Sequence, residues 1–468
     1  MESIIQGSFD ELIPGLSWGS PPTASYLKDR ISSTWYPRGA QTYSPAGGGG
    51  TNLLSFTISD PGMGFLDIST IRLAGQLNNT STTDPPVAIN FPHASLMSFM
   101  RRVRVMVSGT LIEDIDIAGR LAEMLMKLRP ANRNWSDSIT GLGASEQIAA
   151  ASGTGVVAAN VSSGFLDGYR NETLAQGQSR KFLSVILSGF LQTHSWLNVG
   201  RHPLTIELEL ADPTQCTVSG GSRAYNFSNM RLLGDIVHVD STILEKYNQL
   251  LETGDGIPIH FSSYSHTMHN VTGLTADTAS NFDLMIQRSF SRLKTVFVTF
   301  SSATYRASTT DFTEYNSFVS WHGGGDPATV RYGAPIAYDF AKDNVRVQLA
   351  VGPLLFPAYP ADSHAELFYG LQKALAMDSS VDGLSFPPSE YRRSTHIEAF
   401  DLEKANGSPG SGLMAYTGIS TRDTGDAIRL TYQGINADAR HLPDRCYVVM
   451  HNDAVVLLMR EGVQIQNF

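Results

Sequence analysis

Three histidines, His260, His266 and His269, crowd one short stretch, and Ser265-His266-Thr267-Met268-His269 sets two imidazoles three positions apart. Imidazole pairs ligate zinc when Cys or carboxylate joins them at fixed spacing. No such companion stands beside them, so polar positions on a strand and a loop are expected. Trp321-His322-Gly323-Gly324-Gly325-Asp326 has the outline of an oxyanion loop. No Gly-x-Ser-x-Gly accompanies it as a nucleophile elbow, and a turn is expected. Asp362-Ser363-His364 brings together the residue types of a hydrolytic triad. Neighbours at a helix start diverge in direction and cannot relay a proton. His451-Asn452-Asp453 joins two apolar runs and reads as a turn between strands. Arg101, Arg102 and Arg104 form the densest basic cluster, better suited to a solvated strand face or a subunit contact than to a phosphate site. There is no GxxxxGK[ST] phosphate cradle. The expectation is therefore a non-enzyme with no catalytic, cofactor-binding or metal residues.

The elements that would position these groups follow from composition and pattern. The chain has 468 residues, of which 42% are hydrophobic and 17% charged, enough apolar material for two domains of roughly 200 residues. Forty-two Gly and 22 Pro favour short strands and turns over long helices. A net charge of −10 supplies no basic field to attract nucleic acid. Cys216 and Cys446 lie far apart with no CxxC, which speaks against a disulfide scaffold or a structural zinc. Met-Glu-Ser-Ile-Ile-Gln-Gly carries no secretory signature, and the longest apolar run, Ala454 to Met459, is far short of the ~20 residues that span a bilayer. The expectation is a soluble protein of a reducing compartment. The Asn-x-Ser/Thr triplets at Asn79, Asn160, Asn171 and Asn270 then read as chance products of a Ser/Thr/Asn-rich chain.

Residues 1–50 read as an N-terminal arm. Pro14, Pro21, Pro22, Pro37 and Pro45 punctuate it, and Gly47-Gly48-Gly49-Gly50 reads as a hinge. Lys28, Arg30 and Arg38 oppose Glu2, Asp10, Glu11 and Asp29, so the arm cannot neutralise packaged RNA as dense Lys/Arg tails do. Its Trp18, Trp35, Tyr26 and Tyr36 point to packing on something else, such as a neighbouring subunit.

Beyond the glycines, period-two alternation predicts strands at 54–59, 65–77, 101–107, 182–191, 204–210 and 230–239. The signal returns at 257–264, 282–288, 293–300, 345–355, 427–432 and 447–459. Helical spacing predicts helices at 115–128, 241–252 and 361–377, the last capped by Asp362 or Ser363. Residues 130–178 are rich in Gly, Ala, Ser and Thr and read as an exposed loop. The halves echo each other. Val103-Arg104-Val105 leads through Gly109 and Leu111-Ile112 to the first helix, and Val345-Arg346-Val347 leads through Gly352 and Leu354-Leu355 to the third. That order predicts a duplication, with helix 241–252 as connector between residues 51–252 and 257–468.

Two strand-rich halves, each with a helix after a Val-Arg-Val strand, resemble the double jelly-roll major capsid proteins of double-stranded DNA viruses. That lineage includes polinton-like viruses, virophages and giant viruses. The resembling pieces are Val103 to Ile115, Val351 to Pro360 with the following helix, and Tyr447 to Phe468; the polinton-like branch looks nearest. The resemblance covers the chain from about residue 51 as architecture, while the arm and the 130–178 loop match nothing. It implies an all-β fold of two tandem eight-stranded jelly-roll sandwiches with a few short inserted helices. It further implies homotrimeric, pseudo-hexameric capsomers that tile an icosahedral shell around double-stranded DNA. The implied partners are the chain itself and, at vertices and elsewhere, penton and minor capsid proteins, and the implied location is the virion, assembled inside the host cell. No cofactor and no sequence-specific nucleic-acid binding are expected. The competing readings are a glycan- or receptor-binding sandwich, which needs clustered Trp or Tyr at loop tips, and a β-rich hydrolase, which needs a convergent acid–base set.

Overall fold

Along each strand, alternation of residue type becomes alternation of burial. In the computed structural model Leu204, Ile206, Leu208 and Leu210 are buried while Thr205, Glu207 and Glu209 between them are not. The structure describes residues 27–45, 51–81, 89–91, 96–128, 172–174, 176–217, 223–252, 256–307, 313–321, 345–375, 391, 395–403, 418–422 and 427–466. The Gly47–Gly50 hinge, residues 1–26, most of the 130–178 loop, Asn160 and Asn171 lie outside them.

The first half contains β1 (Leu27–Trp35), β2 (Thr42–Tyr43), β3 (Leu53–Ile58), β4 (Phe65–Asn79), β5 (Ile89–Phe91), β6 (Met100–Val107), β7 (Thr110–Asp116), β8 (Glu172–Leu174), β9 (Ser179–Ser184), β10 (Trp196–Asn198), β11 (Leu204–Leu210) and β12 (Tyr225–Val239). The second contains β13 (Ile257–Asn270), β14 (Ser280–Ile286), β15 (Leu293–Ser301), β16 (Arg346–Val351), β17 (Leu354–Ala361), β18 (Glu398–Asp401), β19 (Ile428–Ile435), β20 (Arg445–Met459) and β21 (Gly462–Gln466).

One sheet of the first half runs β1-β12-β4-β10, with β2 and β9 attached, and the other runs β3-β11-β6-β7. The second half repeats the arrangement as β13-β20-β15-β18 and β14-β19-β16-β17. Place for place, β1 answers to β13, β4 to β15, β6 to β16, β7 to β17, β11 to β19 and β12 to β20. The Val-Arg-Val echo thus marks equivalent hairpins, β6–β7 and β16–β17, each followed by a helix. Phe56, Val105 and Ile206 on one sheet meet Leu73 and Phe227 on the other in the first core; Leu284, Val347 and Leu430 meet Val298 and Val448 in the second. Two sheets packed by their apolar faces make each half a sandwich.

The helices are α1 (Ala118–Lys127), α2 (Ser241–Glu252) and α3 (His364–Ala374). Ser363 caps α3 by accepting from the Glu366 amide at 3.3 Å, and the Glu366 carboxylate accepts from the Asp362 amide at 3.0 Å. The side-chain cap is Ser363 rather than Asp362, and the Glu366 carboxylate reaches back one residue past it, a variant of the capping box. No helix among the described residues is long and apolar enough to cross a membrane.

Four expectations are corrected. The arm expected over residues 1–50 already contains a strand: Leu27–Trp35 pairs with Val239–Leu232 at the edge of the first sandwich. Its side chains are mostly exposed, so no alternation betrays it. Residues 345–355 form two strands rather than one, because Gly352 takes a positive φ of 55° and turns the chain. His451-Asn452-Asp453 is no turn: β20 runs straight through it, with Asn452 opposite Ser263 on one side and Leu293 on the other. The stretch 182–191 is strand only to Ser184 and ends in a short 3-10 helix at Phe190–Gln192.

Candidate functional site: the junction of the two sandwiches

Polar side chains buried where the halves meet define the most elaborate site. Glu113 on β7 is almost fully buried. Its carboxylate accepts hydrogen bonds from Ser188 Oγ, from the amides of Gly189 (3.1 Å) and Phe190 (3.3 Å), and from Ser263 Oγ across the junction (2.7 Å). Burial pushes its pKa up while the four donors oppose the shift. The backbones come close here: a Cβ on Gly189 would lie 1.6 Å from the Ser262 carbonyl oxygen, so only glycine fits.

Arg120, on α1 of the first half, makes its contacts in the second. Its guanidinium donates to Thr299 Oγ1 (3.1 Å), to the Phe300 carbonyl (3.1 Å) and to the Glu314 carbonyl (2.6 Å). It lies over the rings of Phe318 and Tyr447, 4.6 and 4.0 Å from their centres. Burial lowers its pKa to about 10, which leaves it charged at neutral pH. The Glu314 carboxylate accepts from Arg445 (2.6 Å) and Tyr447 (2.7 Å). Next to this array is a cavity of about 710 Å³, lined among others by Arg101, Asp116, Glu209, His266, Glu314 and Arg445.

One turn further along α1, Glu123 is fully buried, accepts a hydrogen bond from Ser98 and has a second oxygen without a partner. Burial pushes its pKa up to about 8, against the pull of Lys127 and Ser98. A carboxyl raised in the fold contributes stability that is complete below its ordinary pKa and is lost as pH rises toward the folded value. Wild-type protein should therefore lose stability relative to Glu123→Gln between about pH 4.5 and 8, by at most ~1.4 kcal/mol per pH unit. Urea unfolding at pH 5 and pH 8 measures it; an unchanged difference between the two would exclude the buried acid.

The sequence candidates disperse. His260 is exposed, His269 half-buried, and His266 buried beside Tyr447, with burial lowering its pKa to about 3 and keeping it neutral. Among the described residues no three His, Cys, Asp or Glu side chains gather as a metal site. Trp321 is enclosed in the second half, and residues 322–326 lie outside the described residues. Ser363 is occupied as a helix cap, while His364 is buried and stacks on Trp321. The three arginines are matched by acids on their own sheet: Arg102 with Asp114 (2.6 Å), Arg104 with Glu207 (3.5 Å), Arg101 with Glu209 (3.3 Å). Asn79 is buried and donates to the Leu174 carbonyl at 2.8 Å, so its triplet offers no room for a glycan. Cys216 and Cys446 are free, buried thiols, and burial raises both pKa values.

Sequence reasoning missed one cluster outright. The fully buried Glu398 accepts from Trp321 Nε1 (3.1 Å), His396 Nε2 (2.8 Å) and the Tyr432 hydroxyl. A carboxylate–imidazole pair resembles an acid–base unit, but both side chains are wholly enclosed. The arrangement ties β18 to β19 and to the Trp321 segment inside the second core. Only His396 is local, two positions from Glu398; the other partners lie 77 and 34 positions away, so no sequence window brings the cluster together.

No protein-family model and no curated protein matches this chain. Solved structures do. The PBCV-1 virus capsid model aligns at a TM-score of 0.60 with 11% identity, over 96% of this chain and 98% of that one. The Faustovirus major capsid protein aligns at 0.57 with 9% identity, over 94% and 92%. The structure of the Sputnik virophage aligns at 0.55 with 12% identity, over 97% and 92%. Likeness at such low identity defines the fold: an all-β double jelly roll, the architecture of viral major capsid proteins.

Proposed function

We propose that the protein is a major capsid protein whose copies form homotrimeric, pseudo-hexameric capsomers that tile an icosahedral shell around a double-stranded DNA genome. The observation that carries this reading is the repeated strand order of the two sandwiches, matched almost end to end by capsid proteins. Three chains with two similar sandwiches each present six similar units, which approximate sixfold symmetry. On this reading the chain resides in the virion, works by assembly rather than catalysis, and meets penton and minor capsid proteins at the edges of its own lattice. The first sandwich begins at β1, the connector is α2, and the second sandwich begins at β13. A glycan-binding role gains no support from Trp35 and Trp196, which sit on sheet strands, or from Trp321, which is enclosed.

The test is the mass of the purified protein. Light scattering should report about 152 kDa, three chains of 50.8 kDa, and negative-stain images should show hexagonal outlines. A stable monomer would remove the reading. The genome is expected to be packaged without direct contact, since the net charge is −10 and the densest arginine cluster is internally matched. Salt-sensitive retention of DNA by the trimer would contradict that part.

A further inference from the structure

Polar atoms without partners gather along one wall of the junction cavity. On β13, His266, Thr267 and His269 all line that space of about 710 Å³. Four buried atoms there have no hydrogen-bond partner: both ring nitrogens of His266, Thr267 Oγ1 and His269 Nε2. His266 is only 6% exposed, and the backbone of Asp116 and Ile117 approaches its ring without forming an aligned hydrogen bond. Native interiors rarely leave buried polar atoms unpaired, so such a concentration needs a reason. A ligand that supplies the missing partners is one.

The rest of the lining selects the ligand's charge. Two arginines face the cavity and both are matched, Arg101 by Glu209 at 3.3 Å and Arg445 by Glu314 at 2.6 Å. Asp116 and Asp212 line it as well; Asp212 accepts from the Thr214 amide and hydroxyl, and neither carboxylate has a cation in hydrogen-bond contact among the described residues. Four carboxylates against two arginines leave the lining negative by two. Burial lowers the pKa of His266 to about 3 and that of His269 below its ordinary value, so the imidazoles offer lone pairs rather than charge. An anion would find both arginines already taken. A bare metal ion would find no three ligating side chains gathered among the described residues. The volume is that of a small-molecule site, roughly 300–1,000 Å³, and Ile117, Leu210 and Met268 give it apolar wall.

We propose that this cavity binds a linear polyamine, with ammonium groups on Asp116, Asp212 and the free acceptors of His266 and Thr267, and methylenes along the apolar wall. An ammonium has three donors and no acceptor, which suits a site whose open groups accept. Asp116 and Asp212 belong to the first half and His266 and Thr267 to the second, so the bound cation ties the sandwiches together at this end of the junction. The proposal stands on the single chain and does not depend on the capsid reading.

The experiment is calorimetric titration of the full chain with spermidine at low ionic strength. The expected result is one spermidine bound per chain, and binding weakened about fivefold by Asp116→Asn. Thr267→Val, which deletes a partnerless hydroxyl, is expected to weaken it to a similar degree and serves should Asp116→Asn fail to fold. Glu245→Gln removes the same charge from the exposed face of α2 and should leave binding unchanged. Equal losses in Asp116→Asn and Glu245→Gln, or complete displacement by magnesium chloride of equal ionic strength, would reveal diffuse attraction to an acidic chain and overturn the site. Trilysine binding more tightly than spermidine would overturn the small-molecule assignment. No binding at all would overturn the proposal outright.

Discussion

Val105→Asp is expected to yield no soluble folded protein. Val105 is fully buried at the centre of β6, between Ile206 of β11 and Glu113 of β7. The substitution loses ~1.5–3 kcal/mol of hydrophobic transfer. It also sets a carboxylate where no cation reaches it, at a further cost of several kcal/mol. Since a domain is stable by only about 5–15 kcal/mol, the sum is most of what holds it. The neighbouring Glu113 adds like-charge repulsion in whatever fraction of molecules keeps both acids ionised. Soluble yield and far-UV circular dichroism read the result. A variant that assembles like wild type would show that Val105 does not face the core.

Arg120→Ala is expected to loosen the two sandwiches from each other while each keeps its own core. The change leaves Thr299 Oγ1 and the carbonyls of Phe300 and Glu314 facing a hole, and it removes the cation from between two rings. Leaving a buried acceptor without its donor costs about 1–3 kcal/mol. Arg120→Lys should recover only part of it, because one ammonium cannot reach three acceptors that a planar guanidinium spans. Hydrogen exchange separates this from global unfolding. Protection should fall at 299–301 and 313–321 and persist in β3 and β11, which lie beyond β6 from the β7 edge in their sheet. Unchanged exchange at 299–301 would show that the guanidinium does not hold the junction.

Strands with one wet face were legible in the sequence because burial itself imposes the period: β11 was bounded to the residue, and β3, β4 and β6 nearly so. The duplication was legible for the same reason, since two Val-Arg-Val hairpins with similar turns must bury the same face. Strands whose burial departs from that rule were not. β1 is exposed on both faces along most of its length, and β20 is buried on both faces around a polar trio. In that trio, Asp453 Oδ1 accepts from Ser262 at 2.6 Å and lies 3.6 Å from the Lys294 ammonium, partners on the flanking strands that no local window contains, while its Oδ2 is buried without a hydrogen bond.

The junction was hidden for a similar reason. Arg120 and Glu123 sit in an apolar helix otherwise read as plain core, and a charge within that stripe was the one available sign. Glu113 offered none, being one acid in Glu113-Asp114 on a strand with an exposed far end. What makes these groups functional is the second sandwich arriving from 150 or more positions away.

The strand order has a consequence for synthesis on the ribosome. The first sandwich has all its sheet partners once Val239 has emerged, but β13, made next, waits for β20, and the pairing joins Ile257 to Leu458. Until then the apolar edges of β13 and β15 have no central neighbour, and α1 has no surface to seal against. A chain terminated before β20 would thus release one closed sandwich tethered to an unclosed, adhesive remainder, a natural substrate for cellular quality control.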